Sequence, residues 1–307
     1  MEYIAGIGGA NMDIHGRSDA PLVMRDSNPG HLHMSMGGVC RNICENLVRL
    51  GEKVSLVSVV GNDPNGRTLM EGCRALGINM DHVRMMEEAR TSSYISLMDS
   101  DGDMLVAMSD MSIIKHLDER LVEENRTVLN QAELVVCDGN LSGRTLDALA
   151  RLCDRPLYLD PVSTAWAREL RPYIGRFHTV KPNRMELEAL TDCPCATEAE
   201  LAMACDRLRG LGVQRVFVSL GSEGMYYRGP EGGLLRRSRP YPHLVNATGA
   251  GDASMAGIIY ATRRGWDAEQ VLYAAMAAGM CAIASEDTIN PEMSPQKLEE
   301  IMKGYLI

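Results

Sequence analysis

The sequence predicts an α/β fold built on a doubly wound, largely parallel sheet with helices on both faces. Three observations carry this. Short runs rich in Val, Ile and Leu alternate with helical patterns that stop at glycine, as in the run Val54–Val60 followed by a helix ending before Gly77. Polar residues and glycines follow these runs directly, at the sheet edge where such folds bind ligands. Finally, Val245-Asn-Ala-Thr-Gly-Ala-Gly-Asp-Ala253 is a glycine-rich turn that delivers Asp252 to the start of a helix.

In chain order, Tyr3–Ile7 reads as a buried first strand, followed by Gly8, Gly9, Asn11 and Asp13. Gly6-Ile-Gly-Gly is not a dinucleotide fingerprint, because the third glycine would fall at Asn11 and Asp13 and Pro21 follow where a helix should open. Residues 31–36 are extended but polar. Gly37-Gly38 leads into a helix over 41–50 that Gly51 stops, and the strand 54–60 is followed by a turn at 61–66 and a helix over 68–76. Residues 91–111 form a hairpin around Asp99-Ser-Asp-Gly-Asp103. Its spaced acids are no calcium loop, since Met104 stands where that loop needs glycine and Asp110 where it prefers glutamate. Alternation resumes with a strand at 134–137, a helix at 145–152, strands at 157–160 and 179–180, and a helix after Lys181-Pro-Asn183. A helix at 198–211, a strand at 215–220, a turn at 221–224 and a short strand at 225–227 come next. Residues 234–244 are irregular or edge structure, and helices from Ala250 and from Ala268 to about Ala284 close the pattern. There is no internal repeat and no linker, so one domain over 1–307 is expected.

Composition narrows the class. The 307 residues carry 31 basic and 41 acidic side chains, a formal charge of −10, which argues against a nucleic-acid or anionic-membrane surface. No apolar run approaches a membrane span. Nine cysteines without a framework, and a beginning without a basic-then-apolar leader, point to the reducing cytoplasm. Cys193-Pro-Cys195 lacks the two-residue gap of redox and zinc motifs.

The turn before Asp252 is where chemistry is expected. Its helix presents first-turn N–H groups to an anion, with no side chain on Gly249 or Gly251 to obstruct a phosphate. A carboxylate there would repel a phosphate ligand but suits a base that deprotonates an attacking hydroxyl. Asn183 and Glu186, three apart at a helix start, face one side.

Four motifs in order and spacing resemble the ribokinase (PfkB) family of carbohydrate and nucleoside kinases over essentially the whole chain. They are Asn11-Met-Asp13, Gly37-Gly38 with Asn42, Asn183-x-x-Glu186, and Asn246-x-Thr-Gly-Ala-Gly-Asp252. The resemblance implies that Asn11, Asp13, Gly37, Gly38 and Asn42 hold the sugar. It implies that Asp252 is the base, and that the amides of Gly249, Ala250, Gly251 and Asp252 stabilise the transferring phosphoryl group. ATP would lie against Lys181, Asn183, Ser219, Gly221, Asn246, Thr248 and the region of Cys281. Mg²⁺ would be ordered through Asn183 and Glu186. The segments from about 15–36 and 91–111 would form a β-lid over the sugar, with a homodimer through the lid left open. Within the family, Asp26-Ser-Asn-Pro-Gly30, Thr91-Ser-Ser-Tyr-Ile-Ser-Leu97, Val106–Met111 and Asp160-Pro-Val-Ser163 look most like pseudouridine kinases. That implies 5′-phosphorylation of pseudouridine. Its uracil N1–H, absent from uridine, calls for an acceptor in the lid, where Asp110 is the strong candidate and Ser93 and Thr91 are weaker ones, unless Asp110 is a turn acid or a cap. Another nucleoside or sugar kinase, or a non-catalytic nucleoside sensor, are the alternatives. Asn246 stands where many members carry the aspartate that holds K⁺, so little dependence on K⁺ is expected.

Overall fold

The computed structural model describes residues 2–100 and 104–306, so the centre of the turn at 99–103 lies outside the described residues. The chain begins with β1 (Ile4–Ile7), β2 (Asn11–Ser18), β3 (Gly30–Gly37) and α1 (Val39–Arg49). It continues through β4 (Val54–Gly61), α2 (Pro64–Leu76), β5 (Asn79–Met86), β6 (Ser93–Met98) and β7 (Met104–Asp110). Next come α3 (Glu119–Glu124), α4 (Arg126–Gln131), β8 (Leu134–Asp138), α5 (Gly143–Leu152), β9 (Leu157–Asp160), α6 (Thr164–Leu170) and β10 (Thr179–Val180). The last part holds α7 (Arg184–Thr191), α8 (Glu198–Gly210), β11 (Arg215–Ser219), β12 (Met225–Gly229), β13 (Gly232–Arg236), α9 (Ala250–Arg263), α10 (Ala268–Ile283) and α11 (Pro295–Ile301).

Nine strands form the main sheet in the order β13-β12-β11-β10-β9-β8-β1-β4-β5. Pairing is parallel from β11 to β5, and only β12 and β13 add antiparallel at one edge. Alternate strand residues serve opposite faces. Ile4 and Val136 pack with Leu47, Leu69, Ile258 and Leu272 of α1, α2, α9 and α10. Ala5, Ile7, Val135 and Cys137 pack with Leu146, Leu170, Leu187 and Leu201 of α5 to α8. The doubly wound sheet read from the sequence is therefore present.

Helix ends follow local chemistry. The Asp63 side chain accepts from Gly66 N ahead of Pro64, and Gly77 closes α2 in the left-handed region. Asn183 and Glu186 form a reciprocal capping box that opens α7.

A second sheet runs β3-β2-β6-β7, with β2 and β6 parallel and the outer pairs antiparallel. The segments expected to form a lid, 15–36 and 91–111, fall on these strands, but the sheet reaches back to Asn11. Asn11 and Asp13 thus open a strand instead of lying in a loop. Leu32, Met34, Leu105, Val106 and Met108 leave much of its surface apolar and exposed.

Candidate active site

The sheet order turns at β1, which has β8 on one side and β4 on the other, and ligands bind at such switch points beyond the strands' C-terminal ends. There, Asp138 at the end of β8 is fully buried. Its carboxylate accepts from Gly9 N at 3.1 Å, Cys40 N at 3.0 Å and Asn140 N at 3.1 Å, tying the loops after β1 and β3 together. Arg41 tightens the same corner by donating to Gly37 O at 3.0 Å and Met36 O at 2.8 Å. Gly38 packs so closely that a Cβ would sit 2.5 Å from the Gly9 carbonyl oxygen.

Two cavities meet here. One of about 320 Å³ is lined by Asn11, Asp13, Gly38, Asn42, Tyr94 and Asp252, among others. The other, about 720 Å³, is lined by Asn183, Ser219, Gly221, Ala250, Gly251 and Gly279, among others. The turn 247–252 is their common wall, with Thr248, Gly249 and Asp252 facing the smaller cavity and Ala247, Ala250 and Gly251 the larger. No side chain caps the first turn of α9. Its amides therefore remain available to an anion between the cavities.

Asp252 is 8% exposed, and Asn42 Nδ2 donates to its Oδ2 at 2.8 Å. Burial, then the nearby Asp160 carboxylate, push its carboxyl up to about 7, against the pull of Asn42, Lys181 and Arg41. Lys181 is buried and paired with Asp160 at 2.9 Å. Glu186 is held high by burial first and by Asp160 second. Asp160 thus raises both Asp252 and Glu186, yet among the described residues no three acidic, His or Cys side chains converge as a metal cluster. Magnesium is typically held by one or two carboxylates together with phosphates and water, so Glu186, with Asn183 beside it, fits that ion.

Several site residues expected from the sequence lie elsewhere. Ser93 is displaced by its neighbour: successive strand residues face opposite ways, and Tyr94 lines the cavity while Ser93 Oγ donates to Thr91 O. Asp110 is exposed, and its Oδ1 accepts from Ser112 N at 3.1 Å, so it caps the following turn. Cys281 is buried in the core, because Met276, Gly279, Met280 and Ile283 form the stripe of α10 that faces the larger cavity. Asn246 lines neither cavity. Its Oδ1 accepts from Thr248 N and its Nδ2 donates to Glu286 O, both at 3.0 Å. A Cβ on Gly37 would collide with Asp13 Oδ2, so the Asp13 carboxylate would have to shift to admit one. Asn140, Asp138 and Arg41 were not anticipated; Asp138 and Asn140 follow the predicted strand at 134–137, a signal of place but not of role, and Arg41 carried none.

Comparison with known proteins gives a consistent answer. Residues 1–295 match the family model described as pfkB family carbohydrate kinase. A pseudouridine kinase from Escherichia coli (strain K12) is 35% identical over 95% of this chain and 94% of its own length. A guanosine-inosine kinase from Exiguobacterium acetylicum is 29% identical, covering 95% and 98%. Among solved structures, a carbohydrate kinase from Agrobacterium tumefaciens superposes with a TM-score of 0.88 at 26% identity, over 99% of this chain and 97% of that one.

Proposed function

The chain belongs to the pfkB family of carbohydrate kinases, and from that premise we propose that it transfers the γ-phosphoryl group of ATP to the 5′-hydroxyl of pseudouridine. One observation carries the chemistry: the uncapped start of α9 divides two cavities and sets a buried carboxylate on the smaller one's side. The smaller cavity takes the nucleoside, with Asn11, Asp13 and Asn42 against the ribose. The larger takes the nucleotide against Asn183, Ser219 and Gly221. Asn42 orients Asp252 to accept the hydroxyl proton, and the amides of 250–252 receive the charge of the transferring group. Glu186 and Asn183 would hold Mg²⁺, which would supply positive charge against the nucleotide phosphates. The second sheet closes over the acceptor and excludes water.

The choice of pseudouridine is supported by the relative that is 35% identical and by the resemblance of the 91–97 and 160–163 segments. The base-reading role assigned to Asp110 has no support in the geometry. The test is a panel of pseudouridine, uridine, guanosine, inosine and ribose with ATP and Mg²⁺ and coupled detection of ADP. Pseudouridine should give the highest kcat/KM by at least tenfold. A purine nucleoside or ribose ahead of it would reassign the substrate, and no turnover with any compound would remove the kinase reading. The exposed apolar surface of the second sheet supports pairing of two chains through it, to be checked by sedimentation equilibrium. No helix among the described residues is long and apolar enough to cross a membrane, and all nine cysteines are free. We place the reaction in the cytoplasm on that basis, and fractionation of cells making the chain would test it.

Two further results are expected. The base acts only when ionised, so with the Asp252 carboxyl at about 7, kcat/KM should rise about tenfold per pH unit below neutrality and level off above it. A flat profile from pH 5.5 to 8 would assign the proton transfer to another group. Exchange of a large inert cation for K⁺ should change the rate less than about twofold, because Asn246 brings no charge and its amide is engaged within the loop. Several-fold activation saturating at low millimolar K⁺ would contradict this.

A further inference from the structure

Asp160 ends β9 and is 5% exposed, with its two carboxylate oxygens committed in different directions. Oδ1 accepts from Val162 N at 2.9 Å, while Oδ2 pairs with Lys181 Nζ at 2.9 Å. Each partner reaches a different part of the site. Val162 lines the acceptor cavity, as do Asn11, Tyr94 and Asn140. Lys181 Nζ lies 3.4 Å from where a Cβ on Gly251 would stand, at the anion-binding start of α9.

Val162 is itself unusual. Its φ is 69°, a left-handed conformation that a β-branched residue rarely takes. Ser163 N donates to Pro161 O at 2.8 Å, closing a three-residue turn around it, a strained type when the central φ is positive. Glycine would suit this backbone without strain, so the turn is held by its surroundings and presents a valine side chain to the cavity. Strain maintained in this way concentrates at ligand sites.

We propose that Asp160 is a positioning residue that couples the two halves of the site, fixing Val162 as a specificity wall of the acceptor pocket and Lys181 as the cation of the phosphoryl-transfer corner. This rests on the kinase reading. Substitutions separate the two functions. Asn at 160 keeps an oxygen for Val162 N but sets an amide donor against the Lys181 ammonium. Ala removes both contacts. Glycine at 162 relieves the turn and removes the wall while leaving Lys181 paired.

The test is calorimetric titration of the full chain with pseudouridine, or whichever nucleoside of the panel turns over best, and separately with β,γ-imido-ATP and Mg²⁺. Steady-state KM values for both substrates accompany it, and circular dichroism melts confirm folding. Asp160→Asn should weaken nucleotide binding at least tenfold and nucleoside binding less than twofold. Val162→Gly should weaken nucleoside binding at least fivefold and change its ratio to uridine, with nucleotide binding within twofold. Asp160→Ala should weaken both. The proposal is overturned if Asp160→Ala affects one ligand alone, or if Val162→Gly leaves nucleoside affinity and preference unchanged. Should Asp160→Ala fail to fold, the other two variants decide. Wild-type chain that binds both ligands but transfers no phosphate would remove the kinase reading, while the binding pattern would still decide the coupling.

Discussion

Asp252→Asn should lower kcat by roughly 10²–10⁴ with little change in the KM of either substrate, the expected cost of removing a general base while keeping its shape. The amide retains an oxygen for Asn42 Nδ2, so the local hydrogen bond survives. The same variant should be more stable than wild type under alkaline conditions. The carboxyl titrates at about 7 in the folded chain against an ordinary value of 3.8. Between those values the folded state holds a proton that the unfolded state has released, so stability falls as pH rises from about 4 to 7. Asparagine escapes this loss, and its Tm advantage should be present at pH 8 and absent near pH 4. Loss of activity with gained stability cannot come from misfolding. Near-normal turnover in the folded variant would sink the assignment of Asp252 as the base.

Gly249→Ala is the second large effect. Gly249 precedes α9 with φ 80°, and a Cβ there would collide with the backbone oxygen of Thr288 and lie 2.9 Å from its Cγ2. Relief requires the turn to move, and if the amides of 250–252 receive the transferring phosphoryl group as proposed, kcat should fall by roughly 10²–10³. Gly265, beyond the other end of the same helix, supplies the control. It has φ 70° with nothing within 4 Å of a Cβ, so alanine there meets strain without collision. Gly265→Ala should cost about 1–2 kcal/mol of stability in urea and leave kcat unchanged. Equal kinetic effects of the two variants would mean that backbone strain alone, and not the aim of the amides, limits turnover.

Much of this fold was legible because its elements are repetitive. The β4 run, the glycine that closes α2 and the cap of α7 each declare themselves within a few residues. β2 did not, since Asn-Met-Asp-Ile-His is polar on alternate positions and belongs to a sheet with an exposed surface. The short helices α3, α4 and α6 span too few turns to establish a period. In the candidate site, the glycine turn and the place of Asp252 in the first turn of α9 were readable locally. Asp138 was not, because its carboxylate serves amides 98 and 129 residues away and such a role leaves no local pattern. Arg41 reads as a surface charge on a helix, yet it is fully buried against the Gly37 loop. The exchange of Ser93 for Tyr94 is a one-residue error of strand face, which period-two geometry makes decisive.

The place of β1 in the sheet bears on how the molecule assembles. Ile4, made before either of its partners, pairs with both Val54 and Leu134, so a nascent chain carries a half-paired central strand until β8 has emerged. The bond from Asn42 to Asp252 spans 210 residues, and α9 must reach α1 before the smaller cavity exists. Contacts so distant in sequence form late and expose apolar surface meanwhile. Refolding should therefore regain helical signal well before catalytic competence, with the unfinished edge of β1 the point at which chaperones or aggregation compete for the chain.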